Sequence, residues 1–162
     1  MEIRSVGAEL KPELETYYYP RHIAVWKVTF RTIFGTRREL VMTVGDGVTG
    51  YVGIVDEVPE ATPLEVDEAS IIPEEIESDD FYEKSKEALR KYFIYKRRVW
   101  KVPIIECDYV DAFHVPYQVE RRTSKFGNSK YYLYEPMSKM YEDLKKHEVI
   151  KNFVLEKGEV KV

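Results

Sequence analysis

Residues 22–34, His-Ile-Ala-Val-Trp-Lys-Val-Thr-Phe-Arg-Thr-Ile-Phe, decide the fold class. Ala24, Trp26, Val28, Phe30 and Phe34 share one parity, and Lys27, Thr29 and Arg31 share the other. A period of two with bulky β-branched and aromatic residues on one side is the pattern of a half-buried strand. Gly35-Thr36 is read as the turn into a second strand, in which Leu40, Met42 and Val44 alternate with Glu39 and Thr43. A short apolar run from Tyr51 to Val55 follows the Gly45–Gly50 loop, so the first third reads as a three-stranded meander.

Downstream, Pro59, Pro63 and Pro73 fall within an acidic stretch over residues 56–78, which argues for an extended connector anchored by Ile71 and Ile72. Ser78 is placed to cap a helix over about 79–93. Asp79 and Asp80 lie in its first turn, Arg90 and Lys91 in its last, and Phe81, Ser85, Ala88, Leu89 and Tyr92 form one face. Residues 99–119 are strand-like again, with Ile105, Cys107, Tyr109, Phe113, Val115, Tyr117 and Val119 on one parity. Phe126-Gly-Asn-Ser129 then turns the chain into 130–135. A short amphipathic helix over 138–147 and a last strand over 149–155 complete the reading.

The expected architecture is β-rich α+β: two antiparallel meanders, one main helix at about 79–93 and a short C-terminal helix. The chain is read as one compact domain over 1–162, with 1–55 as first meander, 56–78 as acidic connector and 79–162 as helix plus second meander. Tyr19-Pro20-Arg21 opens the first meander much as Val115-Pro116-Tyr117 opens the second. A tandem repeat and the chance likeness of two meanders account for this equally well.

With 162 residues, 44% hydrophobic, the chain can bury a core, and wholesale disorder is excluded. No apolar run reaches the length of a membrane span and the first ten residues contain no secretion signal, so a soluble cytoplasmic protein is expected. One cysteine, Cys107, forms no intrachain disulfide and no thiolate-rich zinc site. Gln118, Asn128 and Asn152 are the only amides, while ionisable residues are plentiful, which points to a thermophile, and an archaeal one.

Charge is unevenly spread. Between Leu40 and Glu83 there are 13 carboxylates and no Lys or Arg, although the whole chain carries only −4. The remainder therefore has 16 acidic against 25 basic residues, a net +9. Such a surplus attracts phosphates or pairs with the acidic segment, and an acidic strap over a basic surface is the simpler expectation.

Several motifs compete for a function. Gly45-Asp-Gly-Val-Thr-Gly50 has the spacing of a phosphate-binding loop, but the following residues read as a strand where a dinucleotide site needs a helix. A kinase-type loop would need a lysine on the next strand, and none occurs before Lys84. Asp46-Gly47 is a turn signal by itself. Cys107 shares parity with core residues, whereas a nucleophilic thiolate needs a base or cation beside it. Glu106, Asp108 and His114 lie on the opposite parity as weak candidates for a divalent metal, or with Cys107 for a hydrolase.

The richer signal is basic residues interleaved with aromatics. Arg90, Lys91, Lys96, Arg97, Arg98, Lys101, Arg121, Arg122, Lys125 and Lys130 would contact phosphates, with Tyr131 or Tyr132 stacking on unpaired bases. Core aromatics with a solubilising basic rim explain the same residues. The leading expectation is a non-catalytic binding or protein-interaction module without a cofactor, partnered by another protein or by a second copy as a homodimer, and not by a membrane. A single-stranded RNA- or DNA-binding protein is the alternative, and a metal- or cysteine-dependent hydrolase the third.

Overall fold

A computed structural model describes residues 1–97, 99 and 101–156. Among these residues lie eight strands: β1 (Glu2–Val6), β2 (Glu15–Thr32), β3 (Gly35–Asp46), β4 (Val52–Val55), β5 (Ala61–Glu65), β6 (Ile104–Thr123), β7 (Ser129–Glu135) and β8 (Met140–Asp143). Two α-helices, α1 (Ser78–Lys91) and α2 (Glu148–Glu156), accompany them. The fold is α+β and β-rich, with one main helix and a short C-terminal one. Its pairing is mixed, because β1 runs parallel to β6 while the β1–β5, β2–β3, β3–β4, β6–β7 and β7–β8 ladders are antiparallel.

The chain divides into two compact units that are not consecutive in sequence. The first comprises residues 1–19, 61–73 and 114–162, and the second residues 20–60 and 74–113. Strand β2 gives its first five residues, 15–19, to the first unit and the rest to the second, and β6 divides between Phe113 and His114.

In the second unit, β4-β3-β2 is the expected meander. The β2–β3 ladder is unbroken from Arg21↔Asp46 to Thr32↔Gly35. Partners on an antiparallel ladder share a face, so the alternation read from residues 22–34 sets which side chains meet α1. Ala24, Trp26, Val28 and Phe30 are buried together with Phe81, Leu89 and Phe93. Trp26 donates from Nε1 to Thr43 Oγ1 at 3.0 Å, and Thr43 donates to Ser85 Oγ at 3.0 Å, so these three buried polar side chains satisfy one another. Gly45 lets Phe81 seat against β3, where a Cβ would lie 2.5 Å from its ring.

The first expectation to fail is the fate of Phe34. The loop of the β2–β3 hairpin is Ile33-Phe34, not Gly35-Thr36, and Phe34 is 82% exposed. Ser78 begins α1 rather than capping it. Glu77 is the cap residue and makes no side-chain bond there. The helix continues as a π turn over Tyr92–Lys96 that brings Phe93 onto Phe30, ring centroids 5.0 Å apart.

The first unit holds β5-β1-β6-β7-β8 as hydrogen-bonded neighbours. The connector over 56–78 is only partly extended coil: Ala61–Glu65 pair with β1 as strand β5, and Pro63 is tolerated on that edge. Ile72 is buried and donates its N–H to Tyr18 O at 2.9 Å, the anchor expected of it.

Burial along β6 does not keep one parity. Ile105 and Cys107 pack on the core and Phe113 is buried, but Tyr109 is exposed, and from Pro116 the buried positions are the even ones, Pro116 and Gln118. The last two elements exchange identity. Residues 140–143 form β8 and not a helix, while 148–156 form α2 and not a strand. Val149, Ile150, Phe153 and Val154 recur at one and four residues, a helical stripe that also reads as an apolar strand in so short a run. Ile150 and Val154 are buried, and Phe153 meets Tyr17 edge-on with centroids 5.8 Å apart.

A candidate interface at the hairpin tips

The long hairpin of each unit ends in an exposed phenylalanine followed by a glycine of positive φ. In the second unit Phe34-Gly35 (φ 115°) closes β2–β3, and in the first Phe126-Gly127 (φ 83°) closes β6–β7; both rings are 82% exposed. The left-handed glycine backbone makes each turn possible. Side-chain oxygens then hold the loops, Thr32 accepting from Phe34 N at 3.1 Å and Ser124 from Phe126 N at 3.3 Å and Asn128 N at 3.2 Å. Neither phenylalanine serves the core, so each tip carries an apolar surface available to a partner.

The cations around the two tips differ in state. At the β6–β7 hairpin, Arg122 is paired with Glu120 at 2.7 Å and lies 4.4 Å over Tyr132 and 4.7 Å over Tyr141. Lys130 pairs with Asp143 at 3.3 Å, Arg121 donates to Ser129 Oγ at 3.1 Å, and Lys125 lies 5.5 Å over the Phe126 ring. These contacts raise the pKa of Arg122, first through its bond to Glu120, and of Lys130, first through its bond to Asp143. Tyr131 and Tyr132 are half-buried, with Arg122 and Lys130 over Tyr132. A base stacking on Tyr132 would first have to displace a cation.

At the β2–β3 tip the cations are free. Arg31, Arg37 and Arg38 are exposed and, among the described residues, make no side-chain hydrogen bond or ion pair. Arg31 pairs across the ladder with Thr36, Arg38 with Thr29 and Arg37 with Phe30, which puts Arg31 and Arg38 on one face of the ribbon and Arg37 on the other. The sequence reading missed all three, together with Ile33 (65% exposed). The available signal was an Ile-Phe pair occupying a two-residue loop, where polar residues are the rule.

Of the residues singled out nearby, Arg97 is held by Glu39 at 2.8 Å, which raises its pKa, and it lies over Phe30 and Phe93. Lys96 and Lys101 are exposed and unpaired among the described residues. Arg98 lies outside them. Arg90 and Lys91 share Glu87 on α1. The phosphate contacts proposed from sequence thus fall in both units, Arg90 to Lys101 in the second and Arg121 to Lys130 in the first.

For Arg97, Arg122 and Lys130, neutralisation is local rather than supplied by the acidic strap. The partners of Arg97, Arg122 and Lys130 are Glu39, Glu120 and Asp143, all outside residues 56–78. Within that segment Glu65 binds the N-terminal ammonium and Glu74 sits 2.6 Å from His22.

The third set has another character. Cys107 packs on the core of the second unit, and burial pushes its thiol pKa up, which lowers its thiolate fraction. Asp108 pairs with Lys27 at 3.6 Å and Glu106 is exposed. His114 belongs to the first unit, where burial pushes its pKa down. Among the described residues no three His, Cys, Asp or Glu side chains converge as a metal ion would require. The Gly45–Gly50 loop closes as a turn: Asp46 Oδ1 accepts from Val48 N and Thr49 N, and Gly47 donates to Pro20 O.

A shallow basin of about 680 Å³ in the first unit is lined by Lys11, Glu13, Leu14, Glu15, Val119, Glu120, Arg121 and Tyr141. Its charges are mixed. Buried Gln118 fixes its rim by bonding Lys11 N and O, each at 2.9 Å, and Thr16 Oγ1 at 3.0 Å. No helix among the described residues is long and apolar enough to cross a membrane. No protein-family model, curated protein or solved structure matches the chain.

Proposed function

We propose that this chain is a non-catalytic binding module whose working surfaces are the tips of its two long hairpins. The observation behind this reading is the pair of phenylalanines, Phe34 and Phe126, each 82% exposed on a hydrogen-bonded turn. An apolar ring gains about 1.5–3 kcal/mol when it leaves water, and neither ring has done so on folding. The scarcity of amides supports a heat-adapted, archaeal setting.

Light scattering and thermal unfolding of Phe34→Ser and Phe126→Ser test the module. Without a partner, the wild-type chain should self-associate weakly as concentration rises, and each serine variant should do so less while melting within a degree or two of wild type. A wild-type monomer at every concentration, or a variant that loses several degrees, would refute the reading. The second result would assign the rings to stability.

A further inference from the structure

We infer that the β2–β3 tip of the second unit is a binding site for single-stranded nucleic acid, with Phe34 as platform for an unpaired base and Arg31, Arg37 and Arg38 as phosphate contacts. The inference rests on the module reading and names the partner of one of its two tips.

Charge is the first support. Residues 31–38 contain three arginines and no carboxylate, and residues 88–105 add Arg90, Lys91, Lys96, Arg97, Arg98 and Lys101, again without one. Glu39, the next carboxylate along β3, is occupied by Arg97. Arg31, Arg37 and Arg38 make no ion pair among the described residues. A guanidinium offers phosphate a planar, two-pronged set of donors that an ammonium lacks.

Placement is the second. The ladder puts cations on both faces of the ribbon, three or four residues from Phe34. A strand whose base lies on Phe34 has a phosphate on either side of that base, and arginines on both faces can meet the two. Stacking needs one open ring face, which 82% exposure supplies. A duplex would have to be unstacked before the tip could enter. A lipid surface is disfavoured because a plane contacts more than the ribbon, and this unit also carries Asp46, Asp56, Glu57, Glu60, Glu106 and Asp108.

The experiment is fluorescence anisotropy of the full chain with labelled oligo-dT and oligo-U of about 12 nucleotides, at roughly 50 and 200 mM salt. A duplex of equal length and phosphatidylserine–phosphatidylcholine vesicles run alongside. Three phosphate contacts predict a slope of log K against log salt near about −2. Phe34→Ser should weaken binding about 5- to 100-fold, and Phe34→Tyr should restore it. Replacing Arg31, Arg37 and Arg38 by Gln should flatten the salt slope, whereas R122Q and K130Q should leave affinity unchanged.

No binding of oligomers at the lower salt, or equal binding by the tip variants, overturns the inference. Preference for the duplex would replace stacking by a wedge, and binding to vesicles alone would hand the site to lipid. Either result also overturns it. Loss of self-association in Phe34→Ser without oligomer binding would leave the module standing and remove only this partner.

Discussion

His114 shows how burial and titration combine at a single residue. Its Nδ1 is sealed from solvent without a hydrogen bond, and desolvation lowers its pKa from the ordinary 6.5. The folded state therefore favours the neutral imidazole, while the unfolded chain takes up a proton more readily. Stability from this group is complete above pH 6.5 and falls as the pH drops from there through the lowered folded value. Urea unfolding at pH 7 and pH 5 should show a loss in the wild type that His114→Gln reduces. Equal losses in both would place the titration elsewhere. Cys107 follows the same physics with the opposite sign, since burial of a thiol raises its pKa.

The β2–β3 ribbon and α1 form the element whose sequence was most legible, and the reason is redundancy. Alternation over twelve ladder pairs, from Arg21↔Asp46 to Thr32↔Gly35, repeats one message on two strands. The Phe81, Ser85 and Leu89 spacing repeats another on α1. Gly45 joins the two, and a methyl there meets Phe81 Cδ1 at 2.5 Å and Cε1 at 2.8 Å. Gly45→Ala should cost about 1–3 kcal/mol as α1 is pushed from the sheet, read as a lower urea midpoint. An unchanged midpoint would show that the helix rides loosely on β3.

Elements without such redundancy were misread. β8 spans four residues and α2 nine, too few for periodicity to separate a strand from a helix, and their identity is set by what they meet: β7 for β8, and Tyr17 for Phe153 of α2. β1 and β5 are five residues each and pair with one another across about sixty residues of chain. No local pattern announces such a pair. The candidate interface was half legible for a related reason. Composition located Lys96, Arg97 and Lys101, but Phe34 was assigned to the core because its parity matched Phe30, and parity says nothing about where a hairpin turns. Pairing was equally invisible: Arg122 and Lys130 look as available in sequence as Arg37 and Arg38, and Glu120 and Asp143 decide otherwise.

Across the whole molecule, charge is the feature that ties stability to the proposed binding. The described ion pairs are mostly exposed, such as Lys27–Asp108, Arg90–Glu87 and Arg122–Glu120. At room temperature such exposed pairs contribute little. Their worth rises with temperature, because the hydration that competes with pairing becomes less favourable on heating. A chain with 54 Asp, Glu, Lys and Arg among 162 residues and only three amides should hence melt above the ~45–65 °C at which mesophile domains cluster. Scanning calorimetry at neutral pH reads this directly, and a midpoint inside that range would remove the heat-adapted reading. The same economy makes the three unpaired arginines at the β2–β3 tip conspicuous. Where Arg97 and Arg122 each have a carboxylate, like charges kept together without one cost stability through mutual repulsion. Neutralising Arg31, Arg37 and Arg38 should then leave the calorimetric midpoint unchanged or raise it, while removing the affinity for phosphates. A fall in the midpoint would mean that the arginines serve the fold.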